Sequence, residues 1–600
     1  MPACRHHAIC SLTDEADSEA GLCILHSANP QKDSRAFDEA LNVHRQQRGD
    51  TFHLMVFPGA THFLGASFLE DVDFTEVRFA QGALFEKAKF TKKAKFTKAV
   101  FAGWADFTSA EFCGEASFIE TKIHKRAYFD LTKFRAGALF LKAQFTEAAF
   151  FGRAVFTKAA VFFGSAFSGL TEFRKTTFAD LADFTGCTFS QGAHFGGATF
   201  LKRTEFTGTE FFQMAHFGET TFAQEANFSG VLFSQRATFS GATFSGVTHF
   251  LGTQFSGGAD FEGIRFAGAK ISFHSSRFHG KTLFASRGEG GQGLPTFAGV
   301  KEVDFRRVVI DPPDAVTFID VDLTSCQFLD TDLRKVQITG VVWPWMRNWF
   351  GGRPCVYDEK LPRPEPTEAR WWLIAPRERC NELCTKETTG VCKVCKALEE
   401  ADRFLWGWLE VCMRGCTGGR RFCRKPILRL PPKGSLPWSQ IERLYRELKQ
   451  NHEDRRDYAR AGDFHYGEKE MQRRNPQTPR SLRFFLWLYW RASGYGVCWL
   501  RPLVWTLVLW VASTGAYLWS CGLLPKSAGV QASSTAPLTI TAVGDWLRVA
   551  VYSLRVMTFL RPDDLTLNGL GAITVHTIDS LLGPLFLGLF ALAISQRLKR

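Results

Sequence analysis

The sequence predicts a multi-domain protein in which a β-solenoid, a helical neck and two membrane-spanning helices follow one another. Three observations carry this expectation. Phenylalanines recur at alternating steps of five and six residues, as at Phe239, Phe244, Phe250 and Phe255. The stretch from Trp438 to Arg474 places apolar residues at helical spacing. Two long apolar runs lie in the last hundred residues. At 600 residues the chain has room for several domains.

The five-six beat runs from Phe57, Phe63, Phe68 and Phe74 onward, and most of the 59 phenylalanines lie between Phe52 and Phe328. A repeat of this length must be explained before anything else. A right-handed helical coil also repeats over three turns, but a step of five would rotate the ring by about 140° and split one buried stripe into two. The residues between the rings are Gly, Thr and Ser, which are weak helix formers. Two residues before the rings sit small or β-branched residues, such as Ala88 before Phe90, Thr209 before Phe211 and Val231 before Phe233. Residues two apart share one face of a strand. Each unit therefore offers one large and one small inward group, followed by a corner, and the units wind into a solenoid with stacked rings inside.

These units resemble the pentapeptide-repeat family, whose pattern reads roughly Ala-(Asp/Asn)-(Leu/Phe)-x-x. The match spans roughly Thr51 to Ile338 and returns to strict fives in "FIDVDLTSCQFLDTDLRKVQI", with Phe318, Leu323, Phe328, Leu333 and Ile338 on the beat and Asp322 and Asp332 at the polar position. The resemblance implies a right-handed quadrilateral β-helix over residues 51–342. Its six-residue steps depart from the family pattern and call for an extra residue at every second corner. Ten to twelve coils at ~4.8 Å would give a rod of roughly 50–60 Å. "SRGEGGQGLP" interrupts it as an insertion. Some family members resemble acidic duplex DNA and bind topoisomerases. Here Lys87, Lys89, Lys92, Lys93, Lys95 and Lys98 form a basic run and the formal net charge is +13, so neither DNA mimicry nor a nucleic-acid partner is expected. The lysines read as a solvated face, or as a docking surface for anionic lipid or a protein partner.

Residues 1–50 read as a zinc-ribbon-like segment. Cys4, Cys10, Cys23 and His26 offer four donors that suit structural zinc, with unliganded thiols as the alternative. No apolar signal core precedes them, which points to a cytoplasmic N-terminal region. Residues 343–437 form a cysteine-rich linker. In it Cys380, Cys384, Cys392 and Cys395 are a weaker zinc candidate, and Cys412, Cys416 and Cys423 follow at uneven spacing.

The neck, residues 438–480, reads as a helical hairpin. Ser439 and Glu442 suggest a capping box, Ile441, Leu444, Tyr445 and Leu448 an apolar face, and Tyr458, Ala461, Phe464 and Met471 its second helix. It resembles the neck that precedes membrane segments in bacterial membrane-attached pentapeptide-repeat proteins. His452, His465, Glu468 and Glu470 read as solvated charges on the helix backs.

Residues 481–600 form the membrane domain, with spans at about 503–524 and 573–594. "RFFLWLYW" is too short to span and is expected at the surface. Arginines before the first span, and Arg597, Lys599 and Arg600 after the second, put both termini in the cytoplasm. Asp579, inside the second span, should face protein or water. Span, short amphipathic helix, loop and span together resemble the pore module of two-span potassium channels. That resemblance sets Thr558, Arg561, Asp563, Asp564 and Asp579 at pore-like positions. "TFLRP" replaces the glycine-bearing filter, which puts cation selectivity in doubt. No nucleotide loop or nucleophile elbow is present. The expected function is a non-enzymatic scaffold or sensor at the inner membrane, presenting a rigid cytoplasmic rod to a protein partner. The alternative is a degenerate, homo-oligomeric two-span channel gated by the repeat domain.

Overall fold

The computed structural model describes residues 22–29, 32–268, 270–286, 295–348, 351–360, 438–520, 523–525, 543–560 and 565–598. From residue 51 the chain winds as a parallel β-solenoid with four sheets of 12, 13, 10 and 12 strands. Phe57 pairs in register with Phe79, and Phe79 with Phe101, so two five-plus-six units close one coil. The inward ladder is as expected. Phe85 stacks on Phe107 with centroids 4.8 Å apart and planes 2° apart, and it meets Phe96 edge-on at 5.5 Å. Offset-stacked and edge-on contacts are the favoured aromatic geometries.

The odd beat comes from two kinds of corner. The five-residue step makes a tight turn: Ala88 N–H donates to Phe85 O at 3.0 Å, and the second of the two residues between them, Lys87, has φ +57. That left-handed position favours glycine, and later coils place Gly186, Gly208 and Gly230 there. The six-residue step takes a wider corner, and this is where the extra residue is accommodated. The small inward position of the tight corner is often a hydroxyl. Thr132, Thr176 and Thr209 each donate to a phenylalanine carbonyl of the preceding coil, at 2.8, 2.6 and 2.7 Å. A buried hydroxyl so paired avoids the cost of an unmade hydrogen bond.

Both ends of the rod are capped. Helix α1, Ser34–Arg48, lays Phe37 edge-on against Phe57 at 5.3 Å. At the other end a hairpin, Trp345–Asn348 with Gly351–Pro354, and the short α2, Tyr357–Lys360, lead to the neck helices α3, Trp438–Asp454, and α4, Tyr458–Arg474. Helix α5, Arg480–Ser493, precedes two long apolar helices, α6, Leu500–Trp519, and α8, Gly569–Leu598, with α7, Val543–Met557, between them. By length and composition α6 and α8 can cross a membrane.

Three local expectations change. Helix α3 already contains Trp438 and Ser439, so Ser439 is not its cap, and Glu442 pairs with Arg446 at 2.8 Å instead. The first apolar helix ends at Trp519 rather than continuing to Leu524, because Leu523–Pro525 run extended and pair with Leu565–Leu567. The second is longer at both ends than 573–594. The lysine run is paired as well as solvated: Lys98 reaches Glu76 at 3.7 Å and Lys95 reaches Asp73 at 3.9 Å, each one coil below. Exposed pairs of this kind add little stability.

Candidate functional site

The densest polar chemistry lies where the rod, the neck and the apolar helices meet. Helix α3 closes the last coil. Asn451 Nδ2 donates to Leu333 O at 2.6 Å and to Val336 O at 2.9 Å, and Arg455 donates to Val336 O and Ile338 O. These carbonyls have no further coil to accept from, so the neck supplies their partners. Beside them Arg353 grips Glu359 with two bonds of 2.8 Å, and Tyr445 donates its hydroxyl to the same carboxylate. The Arg353 guanidinium also lies between the Tyr445 and Tyr466 rings, 5.5 and 5.2 Å from their centroids. Arg353 and Glu359 are both buried. Removing one partner of such a pair is costly because it strands a buried charge. Burial pushes the Asp358 carboxyl up to about 6, although it accepts the Phe328 N–H.

A second hub ties α4 to the helices that follow. Glu470 accepts from Arg473 at 2.7 Å, from Arg474 at 2.6 Å and from the Tyr495 hydroxyl at 3.1 Å. Burial alone would raise this carboxyl, but the Arg474 and Arg473 guanidiniums outweigh it and hold it at about 2. Glu468 is likewise held at about 2: burial, which would raise it, is overcome by His465, Arg446 and Lys469. Glu468, Glu470 and His452 are therefore interior groups, not solvated helix backs. A charge count along the helices misses this, because it cannot see that Arg446 of α3 and Tyr495, just beyond α5, reach those carboxylates. Arg353 and Glu359 were also missed. They stand in a Gly- and Pro-bearing stretch that reads as linker and carries no periodicity.

Between the apolar helices, Asp579 of α8 is fully buried. It accepts from Ser553 of α7 at 2.9 Å and from Ser513 of α6. One carboxyl thus clasps three helices, as expected of a polar group that must face protein within an apolar layer. Nearby, Tyr517 meets Tyr552 edge-on at 5.5 Å, and the Tyr552 hydroxyl lies 3.2 Å from His576 Nδ1. Thr558, just past α7, is exposed, and among the described residues its hydroxyl bonds back to Leu554 O and Arg555 O. Among the described residues Asp579 and Thr558 share no hydrogen-bond partner. Arg561, Asp563 and Asp564 lie outside the described residues.

Among the described residues no group of three or more His, Cys, Asp and Glu side chains could hold a metal. Cys23 Sγ lies 3.1 Å from His26 Nδ1. Cys4 and Cys10 lie outside the described residues, as do Cys380, Cys384, Cys392 and Cys395. Lys32 donates to the carbonyls of Ile24, Ser27 and Val56 beside this pair, and burial draws its ammonium down to about 8.

With this geometry in view, the comparisons are specific about one part of the chain. The family model described as pentapeptide repeats matches in nine copies, at residues that include 85–133, 162–210, 184–232, 206–254 and 228–277. The solenoid is a pentapeptide-repeat domain. It is followed by a helical C-terminal region with two apolar helices. No curated protein and no solved structure matches the chain.

Proposed function

We propose that this protein is a non-enzymatic, membrane-anchored scaffold or sensor that presents a rigid pentapeptide-repeat rod to a protein partner. One observation carries the reading. The neck holds the rod's last carbonyls through Asn451 and Arg455, and it holds the start of the apolar helices through Glu470, Tyr495 and Trp490. A rod joined to its anchor by buried hydrogen bonds has its orientation fixed at the membrane, which is what a docking scaffold needs. The arginines flanking α6 favour a cytoplasmic rod at the inner membrane by the positive-inside rule. The reading predicts that the full chain floats with proteoliposomes and stays with them through an alkaline carbonate wash. Release by carbonate would refute the anchored arrangement.

A degenerate two-span channel is the second reading, favoured by α7, which packs against both long apolar helices. A channel would require a homo-oligomer with the segment after Thr558 at its axis. Against it stands Asp579, which is engaged in the clasp within one chain. A structural zinc held by Cys4, Cys10, Cys23 and His26 belongs to either reading. The approach of Cys23 to His26 suits two ligands of one tetrahedral ion.

A further inference from the structure

Helix α5 has two faces of different character. One packs inward: Leu486 and Ser493 are buried, Trp490 Nε1 donates to the Tyr466 hydroxyl at 2.8 Å, and the Trp490 ring lies between the Arg473 and Arg501 guanidiniums. The other face is open. Leu482, Phe484, Phe485 and Leu488 are 39%, 57%, 63% and 48% exposed. Four large apolar side chains on one exposed helix face need a cover.

The depth of this face is set by its neighbours. Trp505, in the first turns of α6, donates to Arg491 O at 3.2 Å, and the Arg491 guanidinium lies over its ring at 5.4 Å. Arg501 donates to Trp490 O at 2.6 Å. The reversal between α5 and α6 is fixed by Gly494, Tyr495 and Gly496, all at positive φ. Helix α5 is thus tied to the end of a span, at the level where a bilayer's headgroups begin. Its charge is one-sided: from Arg480 to Arg501 there are four arginines and no Asp or Glu. Among the described residues the Arg483 Nε is buried with no hydrogen-bond partner.

We propose that α5 lies in the bilayer interface and binds anionic phospholipid, with Phe484, Phe485 and Leu488 in the acyl layer and the Arg480 and Arg483 guanidiniums on the phosphate. This rests on the reading of α6 and α8 as membrane spans. On α6, to which α5 is tied, Leu507, Val508 and Val511 are also exposed. The arginines and the missing acids supply the complement to an anionic headgroup. Because α5 is clamped to α4, and α4 with α3 to the rod, the lipid held at α5 sets the rod's attitude to the membrane.

The test uses the full chain in nanodiscs of mixed phosphatidylcholine and phosphatidylglycerol. The photo-crosslinking amino acid p-benzoylphenylalanine replaces Phe485 in one preparation and Val508 in another, and adducts are identified by mass. The proposal expects lipid adducts at both sites. At Phe485 it expects phosphatidylglycerol enriched about threefold over its share of the bilayer. Arg480→Gln with Arg483→Gln should abolish the enrichment, and Arg480→Lys with Arg483→Lys should keep part of it. Lipid at Val508 with protein adducts alone at Phe485 would overturn the proposal while leaving the spans in place. Lipid at both sites without enrichment would overturn the anionic specificity. No lipid adduct at Val508 would instead remove the membrane reading on which the proposal rests.

Discussion

Replacing Phe206 by alanine tests the ladder at its centre. Phe206 has no exposed surface and stacks on Phe184 and Phe228, each at 4.9 Å. It also meets Phe195 and Phe217 edge-on at 5.5 Å. Truncating a buried phenylalanine costs about 3–5 kcal/mol, and favourable ring pairs add to area burial, so the upper half of that range applies. A loss of about 4 kcal/mol is roughly a thousandfold in an equilibrium constant. Hydrogen exchange on the full chain reads it locally, as faster exchange in the coils that hold residues 184–228. Phe212→Ala is the control, because Phe212 points outward and is 41% exposed. It should change exchange by under about half a kcal/mol. A Phe206→Ala loss as small as the control's would refute the inward stack as the source of the rod's stability.

Three further outcomes follow from the neck. Asn451→Leu leaves Leu333 O without its capping donor and Val336 O with Arg455 alone, and should loosen the last coil by about 1–3 kcal/mol, seen as faster exchange around residues 333–338. Glu470 sits at about 2 against an ordinary 4.5. A depressed carboxyl adds stability that is present above 4.5 and is lost as pH falls toward 2, about 3 kcal/mol at most. Glu470→Gln should therefore lower the neck's melting temperature at neutral pH and flatten its acid limb, followed by tryptophan fluorescence. Asp358 shows the opposite sign. It is raised to about 6 from 3.8, so its contribution is favourable in acid and is lost as pH rises through 6. Asp358→Asn should stabilise the junction at pH 7 by up to about 3 kcal/mol and do little near pH 4, in melts at the two pH values. A lower melting temperature for Asp358→Asn at pH 7 would refute the burial cost assigned to that carboxylate.

The solenoid was legible because its core is periodic. One ring and one small residue per unit fix both the strand face and the corner, and the five-six alternation maps directly onto the tight and wide turns. The sequence also marked Asp579 as a group that must be covered, since a carboxyl in an apolar run has few alternatives. The neck's chemistry was not legible in the same way. Whether Glu468 and Glu470 are solvated depends on what covers them, and the cover comes from Arg446 and Tyr495, some twenty residues away in sequence. Arg353 and Glu359 find Tyr445 at separations of 92 and 86 residues, beyond the reach of any local periodicity. The end of α6 was misjudged for a similar reason. Leu523 and Leu524 are apolar enough for a span, but a strand partner at Leu565–Leu567 claims them.

Planar-bilayer recording from the reconstituted full chain, with Thr558→Ala and Asp579→Ala beside it, tests the central claim most directly. An anchored scaffold predicts no conductance above leak from any of the three. Unitary currents from the parent chain that either substitution alters would contradict it and make the rod a channel's gate.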